Sequence, residues 1–237
     1  MIRGVLNPFY INLYCSKIPL AARCYSSALP DDVESSLGRT GMSMSKVVDK
    51  AIFGGGHTCP WWICFTFDNP IRTWIQDPEK LIAGFVKPGD AVLDIGPGQG
   101  YFTLPMAKRT AENGKVVALD IQAKMLELLK KRALEAKCTN IATQLYDGTH
   151  FGLEEKFAFI LMFWMFHEVR NKDGFLKELK AVSTSKTRIL LVEPIVHVAK
   201  KDFEATVDLF MRNGFETRTT GRVRLSRAIE FAIAQGS

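Results

Sequence analysis

Three glycines at alternate positions, Gly96-Pro97-Gly98-Gln99-Gly100, follow directly on the apolar run Ala91–Ile95. A buried strand has to end at that point, and the backbone turns sharply where no Cβ obstructs it. The next segment, Phe102–Glu112, has helical period, and Pro105 is tolerated in a first turn whose N–H groups lack partners. Strand, glycine turn and helix in that order open a parallel α/β unit. The same alternation continues along the chain. Lys115–Asp120 is predicted as a second strand and Gln122–Ala136 as a helix with Met125, Leu129, Ala133 and Ala136 on one face. Ile141–Tyr146 and Phe157–Phe163 read as strands, Lys172–Val182 as a helix, Arg188–Glu193 as a fifth strand and Phe203–Asn213 as a helix stopped by Gly214. Phe215–Thr220 and Val223–Phe231 are separated by so little that they can only pair antiparallel, as a hairpin around Gly221. The expected fold class is α/β: a doubly wound sheet of seven strands, mostly parallel with an antiparallel C-terminal hairpin, and helices on both faces.

Composition agrees with one such domain plus additions in 237 residues. Hydrophobic residues make up 47% and charged residues 24%, which excludes disorder and fibrous architectures for most of the chain. No apolar run reaches the roughly 18 residues of a membrane span. The net charge of +6 comes from basic residues interleaved with acids, a poor pattern for nucleic acid. Five cysteines without a CxxC spacing suggest reduced thiols and a cytoplasmic protein. The first thirty residues carry Arg3, Lys17 and Arg23 and no acid, the composition of an organelle transit peptide, although Asn7-Pro8 and Ile18-Pro19 break any long amphipathic helix. A targeting leader and a disordered extension before a start at Met42 or Met44 both remain open for residues 1–41. The expected organisation is this leader, an aromatic N-terminal cap or lid over 42–88, and a Rossmann-like domain over 89–237.

The glycine turn sits at the carboxyl end of the first strand, where it can cradle a small molecule. A dinucleotide loop reads GxGxxG and places pyrophosphate on the helix N-terminus. Here the spacing is GxGxG, and Asp94 lies two residues before the first glycine. A carboxylate there repels pyrophosphate and suits a ligand with an amino group, such as the methionine part of S-adenosylmethionine. Asp120 closes the second strand, where a carboxylate accepts hydrogen bonds from a ribose diol, with Ile121 beside it. Asp147-Gly148 closes the third strand, within reach of an adenine amino group. Acids at three successive strand ends make a stronger signal than the glycine loop alone.

With these motifs the chain resembles the class I S-adenosylmethionine-dependent methyltransferases from about Asp77 to the C-terminus. VLDIGPGQG matches the family's first motif, ALDIQ its second, YDG its third, FAFILMFWMFHEV its fourth and ILLVEP its fifth. The resemblance implies that Gly96, Gly98 and Gly100 wrap the methionine moiety, Asp120 holds the ribose hydroxyls, and Asp147 with Gly148 holds the adenine. The antiparallel last strand also suits the family. Within it, HEV after the fourth strand and EP ending the fifth look like small-molecule methyltransferases of the quinone-methylating type. The block HTCPWWICFTFDNPIRTWIQDPEKLI resembles uncharacterised prokaryotic methyltransferases. The fourth motif lacks the acidic-Pro-Pro-Tyr signature of amino-directed DNA and glutamine enzymes, and no cysteine pair stands where RNA cytosine enzymes carry their nucleophile.

The expected acceptor is therefore a small aromatic or lipophilic molecule. The rival readings are an RNA or protein methyltransferase and a catalytically silent partner subunit that binds the methyl donor. The acceptor-side candidates are Phe163, also counted among the cofactor contacts, with Trp164, His167 and Glu168 after the fourth strand, and Tyr101 in the glycine loop. His167 suits a general base; equally, it fits a histidine fixed in a capping turn. Glu193 reads as a structural acid at the end of strand five or as part of the site. Gly54–Phe65 packs three glycines, His57, Cys59, Cys64 and three aromatics into twelve residues, the composition of a mobile lid. His57, Cys59 and Cys64 also make a conceivable soft-metal site, but too few ligands keep it out of the predicted site. Trp61, Trp62 and Trp74 with Arg72 and Lys80 fit a peripheral membrane contact. Arg218, Arg222, Arg224 and Arg227 recur along the hairpin, where Arg222 and Arg224 share one side of a strand and suit either phosphate binding or protection of a sheet edge.

Overall fold

The computed structural model describes residues 76–219 and 221–234. The leader, the Gly54–Phe65 segment with its candidate metal ligands, and Trp61, Trp62, Arg72 and Trp74 lie outside the described residues.

Seven strands form one sheet in the order β3-β2-β1-β4-β5-β7-β6. They are β1 Ala91–Ile95, β2 Lys115–Asp120, β3 Ile141–Leu145, β4 Phe159–Phe163, β5 Arg188–Pro194, β6 Phe215–Arg218 and β7 Ser226–Ile233. Only β7 runs against its neighbours, pairing antiparallel with both β5 and β6. The chain reverses direction in strand order between β1 and β4, which flank each other. In open α/β sheets, ligands bind at the carboxyl ends of the strands beside such a switch.

The central strands are buried on both sides because helices cover both. Val92, Val116, Phe159, Leu161 and Phe163 pack with Ile82, Val86, Phe102 and Met106 on one face. Leu93, Ile95, Val117, Ile160, Met162 and Leu191 pack with Phe175, Leu179, Phe203 and Phe210 on the other. The first face carries α1 Pro78–Ile82 and α2 Thr103–Thr110, with α3 Ala123–Glu135 placing Leu126 and Leu129 on Ala118; the second carries α4 Lys172–Ala181 and α5 Lys200–Arg212. Asp77 starts α1 by accepting the N–H groups of Glu79 and Lys80, with Pro78 in the first turn where its missing N–H costs nothing. Ile82 and Val86, near the end of the 42–88 segment, pack in the same core as the sheet.

The antiparallel C-terminal hairpin forms as expected, but its strand ends differ. The β6–β7 connection occupies residues 219–225 instead of a tight turn at Gly221, and Leu225 in it adopts φ 55°. Arg222-Val223-Arg224-Leu225 has the alternation of a strand. Pairing with β5, however, aligns Ser226 with Pro194 and Phe231 with Ile189, which leaves residues 222–225 beyond the end of the ladder.

Candidate functional site

The turn after β1 uses its glycines in different ways. All three have positive φ: 73° at Gly96, 53° at Gly98 and 89° at Gly100. A Cβ at Gly96 would stand 2.8 Å from Met165 Cβ, and one at Gly100 would overlap Leu129 Cδ1. Protein packing therefore requires those two. A Cβ at Gly98 would meet nothing within 4 Å, nor would one at Gly148. These two backbone surfaces, after β1 and after β3, are open to a ligand.

Asp94 is buried at 2% exposure and accepts the Thr103 hydroxyl at 2.6 Å, tying the strand end to the first turn of α2. Burial pushes its carboxyl up to about 7, partly countered by Thr103 and reinforced by the nearby Asp120 charge. Asp120, at 7% exposure, accepts the Gln122 N–H at 2.8 Å. Burial raises it to about 6, against the backbone N–H groups of Gln122, Gly98 and Ile121. The Gly98 amide thus joins the glycine loop to the end of β2. Ile121 beside it is half exposed, an apolar surface at the strand end. Gln99, in the same loop, has a buried side-chain nitrogen with no partner among the described residues. Asp147 is exposed, and its Oδ1 accepts the His150 N–H, the Thr149 hydroxyl and the Thr149 N–H, each at 2.7 Å. Those bonds hold its carboxyl down at about 2. They also leave the Gly148 backbone facing outward.

The acceptor-side candidates divide between the two faces of the sheet. Tyr101, Phe102, Phe163 and Trp164 form a chain of ring contacts on the α1–α2 face, with centroid separations of 5.1, 4.4 and 5.3 Å. Trp164 has φ 59°, an unusual conformation for a bulky side chain. Its indole N–H donates to Ser226 Oγ at 2.9 Å. The Tyr101 hydroxyl donates to the Gln76 carbonyl at 2.7 Å, and the Gln76 amide donates to the Arg224 carbonyl at 3.2 Å and reaches Ser226 Oγ at 3.4 Å. Sequence reasoning passed over Gln76 and Ser226 because neither sits in a motif; no pattern in the chain signals their meeting.

His167 belongs to the other group. It lies in the 3₁₀ turn Phe166–Glu168, whose Phe166 packs in the α4–α5 core. Glu193, at the end of β5 and 2% exposed, accepts the His167 backbone N–H at 3.0 Å with one oxygen and lies 2.6 Å from Nδ1 with the other. A carboxylate opposite Nδ1 makes that nitrogen the donor. Burial lowers the His167 pKa, but the Glu193 hydrogen bond and charge outweigh it, so the net shift is upward. Glu168 stands 4.0 Å from Nε2, and the His197 ring lies parallel at 6.4 Å between centroids. His167, His197, Lys172 and Asp202 line a cleft of about 440 Å3 with α5. Glu193 thus holds His167 at two points, its backbone N–H and its ring.

A family model described as a methyltransferase domain matches residues 86–219, more than half the chain. A demethylmenaquinone methyltransferase from Lactobacillus johnsonii is 28% identical over 131 residues, 53% of this chain and 53% of that protein. An (S)-coclaurine N-methyltransferase from Thalictrum flavum is 29% identical over 112 residues, 47% of this chain and 30% of that protein. The chain thus spans about half or less of the length of these relatives. Among solved structures, a SAM-dependent methyltransferase from Aquifex aeolicus superposes with a TM-score of 0.68 at 24% identity, covering 75% of this chain and 100% of that one. With the strand order, the glycine turn and the buried acids in place, the conclusion is that this chain belongs to the methyltransferase domain family and has the fold of the class I enzymes.

Proposed function

We propose that this protein transfers a methyl group from S-adenosylmethionine to a small, lipophilic or aromatic acceptor. The observation that carries the reading is the open Gly98 backbone beside the buried Asp120 carboxylate at the ends of β1 and β2. The residues present suit the cofactor. Gly96, Gly98 and Gly100 hold the turn open toward the methionine portion, the unpartnered Gln99 amide offers a donor to its carboxylate, and Asp120 accepts from the ribose hydroxyls. Ile121 gives the adenine an apolar surface, and the backbone at Asp147-Gly148 bounds its edge. Asp94 acts from behind, by fixing the loop to α2 and adding negative potential near the ligand's amino group.

When bound, S-adenosylmethionine supplies a methyl carbon that is already strongly electrophilic, so the protein has to align the acceptor and exclude water. Tyr101, Phe163 and Trp164 form the wall for that task. His167, with Glu168 beside it, is proposed as a positioning residue: gripped by Glu193, it fixes the turn that sets Trp164. The relatives named above act on a quinone precursor and on an alkaloid, both small molecules, which supports an acceptor of that size.

Incubation with methyl-labelled S-adenosylmethionine and fractionated cell extract tests the reading. Label is expected in organic-soluble small molecules. Label confined to RNA or protein would reject the acceptor class, and binding of the cofactor with no transfer to any fraction would identify a silent subunit.

A further inference from the structure

The function proposed above leaves a second cleft, of about 690 Å3, unused. It runs between α1 and the 219–225 connection, and its volume is that of an ordinary small-ligand site. Among the described residues, Leu81, Phe85 and Val223 are its apolar lining, while Lys80, Arg222 and Arg224 are its cations. Asp77, the acid among its described lining residues, is engaged with the α1 backbone and with Lys80 Nζ at 3.1 Å. The arginines singled out in the sequence therefore separate. Arg218 pairs with Glu216, and Arg227 donates to the Val198 carbonyl at 2.7 Å. Arg222 and Arg224 line this cleft.

Its inner end meets the aromatic wall. Gln76, 6% exposed, lines the cleft and joins Tyr101 through its backbone carbonyl and Ser226, the partner of Trp164, through its amide. The Gln76 side-chain oxygen is buried and has no partner among the described residues. A buried, unpaired carbonyl is destabilising unless a ligand supplies the donor. Phe85 is held in place by the Arg188 guanidinium, which stacks 4.2 Å over its ring.

We propose that this cleft binds the methyl acceptor, and that the acceptor is an amphipathic acid: an apolar body over Leu81, Phe85 and Val223, an N–H or O–H donating to Gln76, and a carboxylate or phosphate held by Arg222 and Arg224. Arginine suits that last role because its planar fork engages such oxyanions in pairs. The ligand's identity as acceptor rests on the methyltransferase reading; the anion site does not.

The test uses two fluorescent probes with the same aromatic body and N–H, 8-anilinonaphthalene-1-sulfonate and the uncharged N-phenyl-1-naphthylamine, on the full chain. The sulfonate is expected to bind at least tenfold more tightly. The double variant Arg222→Gln, Arg224→Gln should remove that preference and leave the uncharged probe unaffected, with melting unchanged as the control for folding. Octyl phosphate and octanoate should displace the sulfonate probe better than octanol, and their ranking tells phosphate from carboxylate. Equal affinity for the two probes, an unaltered preference in the double variant, or displacement by octanol as strong as by the anions would overturn the proposal. Titration of the same proteins with S-adenosylmethionine separates the two readings. Cofactor binding with no arginine-dependent preference sinks the cleft alone; the preference without cofactor binding sinks the methyltransferase assignment alone.

Discussion

The Cα of Gly98 faces open space while those of Gly96 and Gly100 face Met165 and Leu129, so alanine substitutions along one loop separate ligand effects from packing effects. Gly98→Ala asks an L residue to hold φ near 53°, a left-handed conformation costing about 1–2 kcal/mol. Gly100→Ala adds to such strain an overlap with Leu129, and overpacking costs a further 1–3 kcal/mol, roughly. Thermal melts should rank Gly100→Ala clearly below Gly98→Ala, while calorimetry should show at least a tenfold loss of cofactor affinity in Gly98→Ala. Asp120→Ala is expected to weaken cofactor binding by about 1–3 kcal/mol through lost charge-assisted hydrogen bonds. The two buried acids also link binding to pH. Their folded pKa values, about 7 for Asp94 and about 6 for Asp120, stand above the ordinary 3.8. The folded protein therefore holds more protons than the unfolded chain between about pH 4 and 7, and the stability these groups contribute falls as pH rises through that window. A positively charged ligand favours the ionised forms. Calorimetry at pH 6 in buffers of different ionisation enthalpy should detect proton release on S-adenosylmethionine binding, fading by pH 8; proton uptake would contradict the placement of these acids.

At the scale of elements, side chains at the ends of β5 and along the β5–β7 pair decide two local arrangements. Glu193 grips the 3₁₀ turn through His167, and the raised imidazole pKa means that this pair stabilises the fold fully below the ordinary histidine value, losing that contribution as pH rises through the folded one. In Glu193→Gln the His167 pKa should fall, read from its ring proton shifts by NMR, and turnover should drop with little change in cofactor affinity. An unmoved His167 titration would remove Glu193 from that role. Arg188 makes two bonds of 2.7 Å to Glu230, which is 4% exposed. Arg188→Leu leaves a buried carboxylate alone and is expected to cost about 3–5 kcal/mol in urea unfolding, most of it recovered in the Arg188→Leu, Glu230→Leu double variant. The elements themselves were legible where burial alone drives them. The first two strands fall on the predicted residues, Ala91–Ile95 and Lys115–Asp120, because continuous apolar runs covered on both faces leave no other reading. α5 starts at Lys200, earlier than its apolar period suggested, since Lys200, Lys201 and Asp202 are polar residues of its first turn. β7 starts three residues late because pairing with β5, a long-range contact, sets its register.

For the molecule as a whole, the sequence disclosed the sheet, the glycine turn and the acids at the strand ends, since each lies in a contiguous motif. It did not disclose that the acceptor-side residues split across the sheet, with Tyr101, Phe163 and Trp164 on one face and His167 with Glu193 on the other. That division follows from the alternation of side chains along β4 and β5, and it becomes visible only once the strands are aligned. Gln76 and Ser226 are 150 positions apart in the chain and meet at one hydrogen bond. The central claim, that the ends of β1, β2 and β3 hold S-adenosylmethionine, is tested most directly by calorimetric titration of the full chain with S-adenosylmethionine, S-adenosylhomocysteine and NAD in parallel. Micromolar binding of the first two, none of the third and a loss of at least about fivefold in Asp120→Ala are predicted. Binding of NAD, or cofactor affinity untouched by Asp120→Ala, would contradict the account.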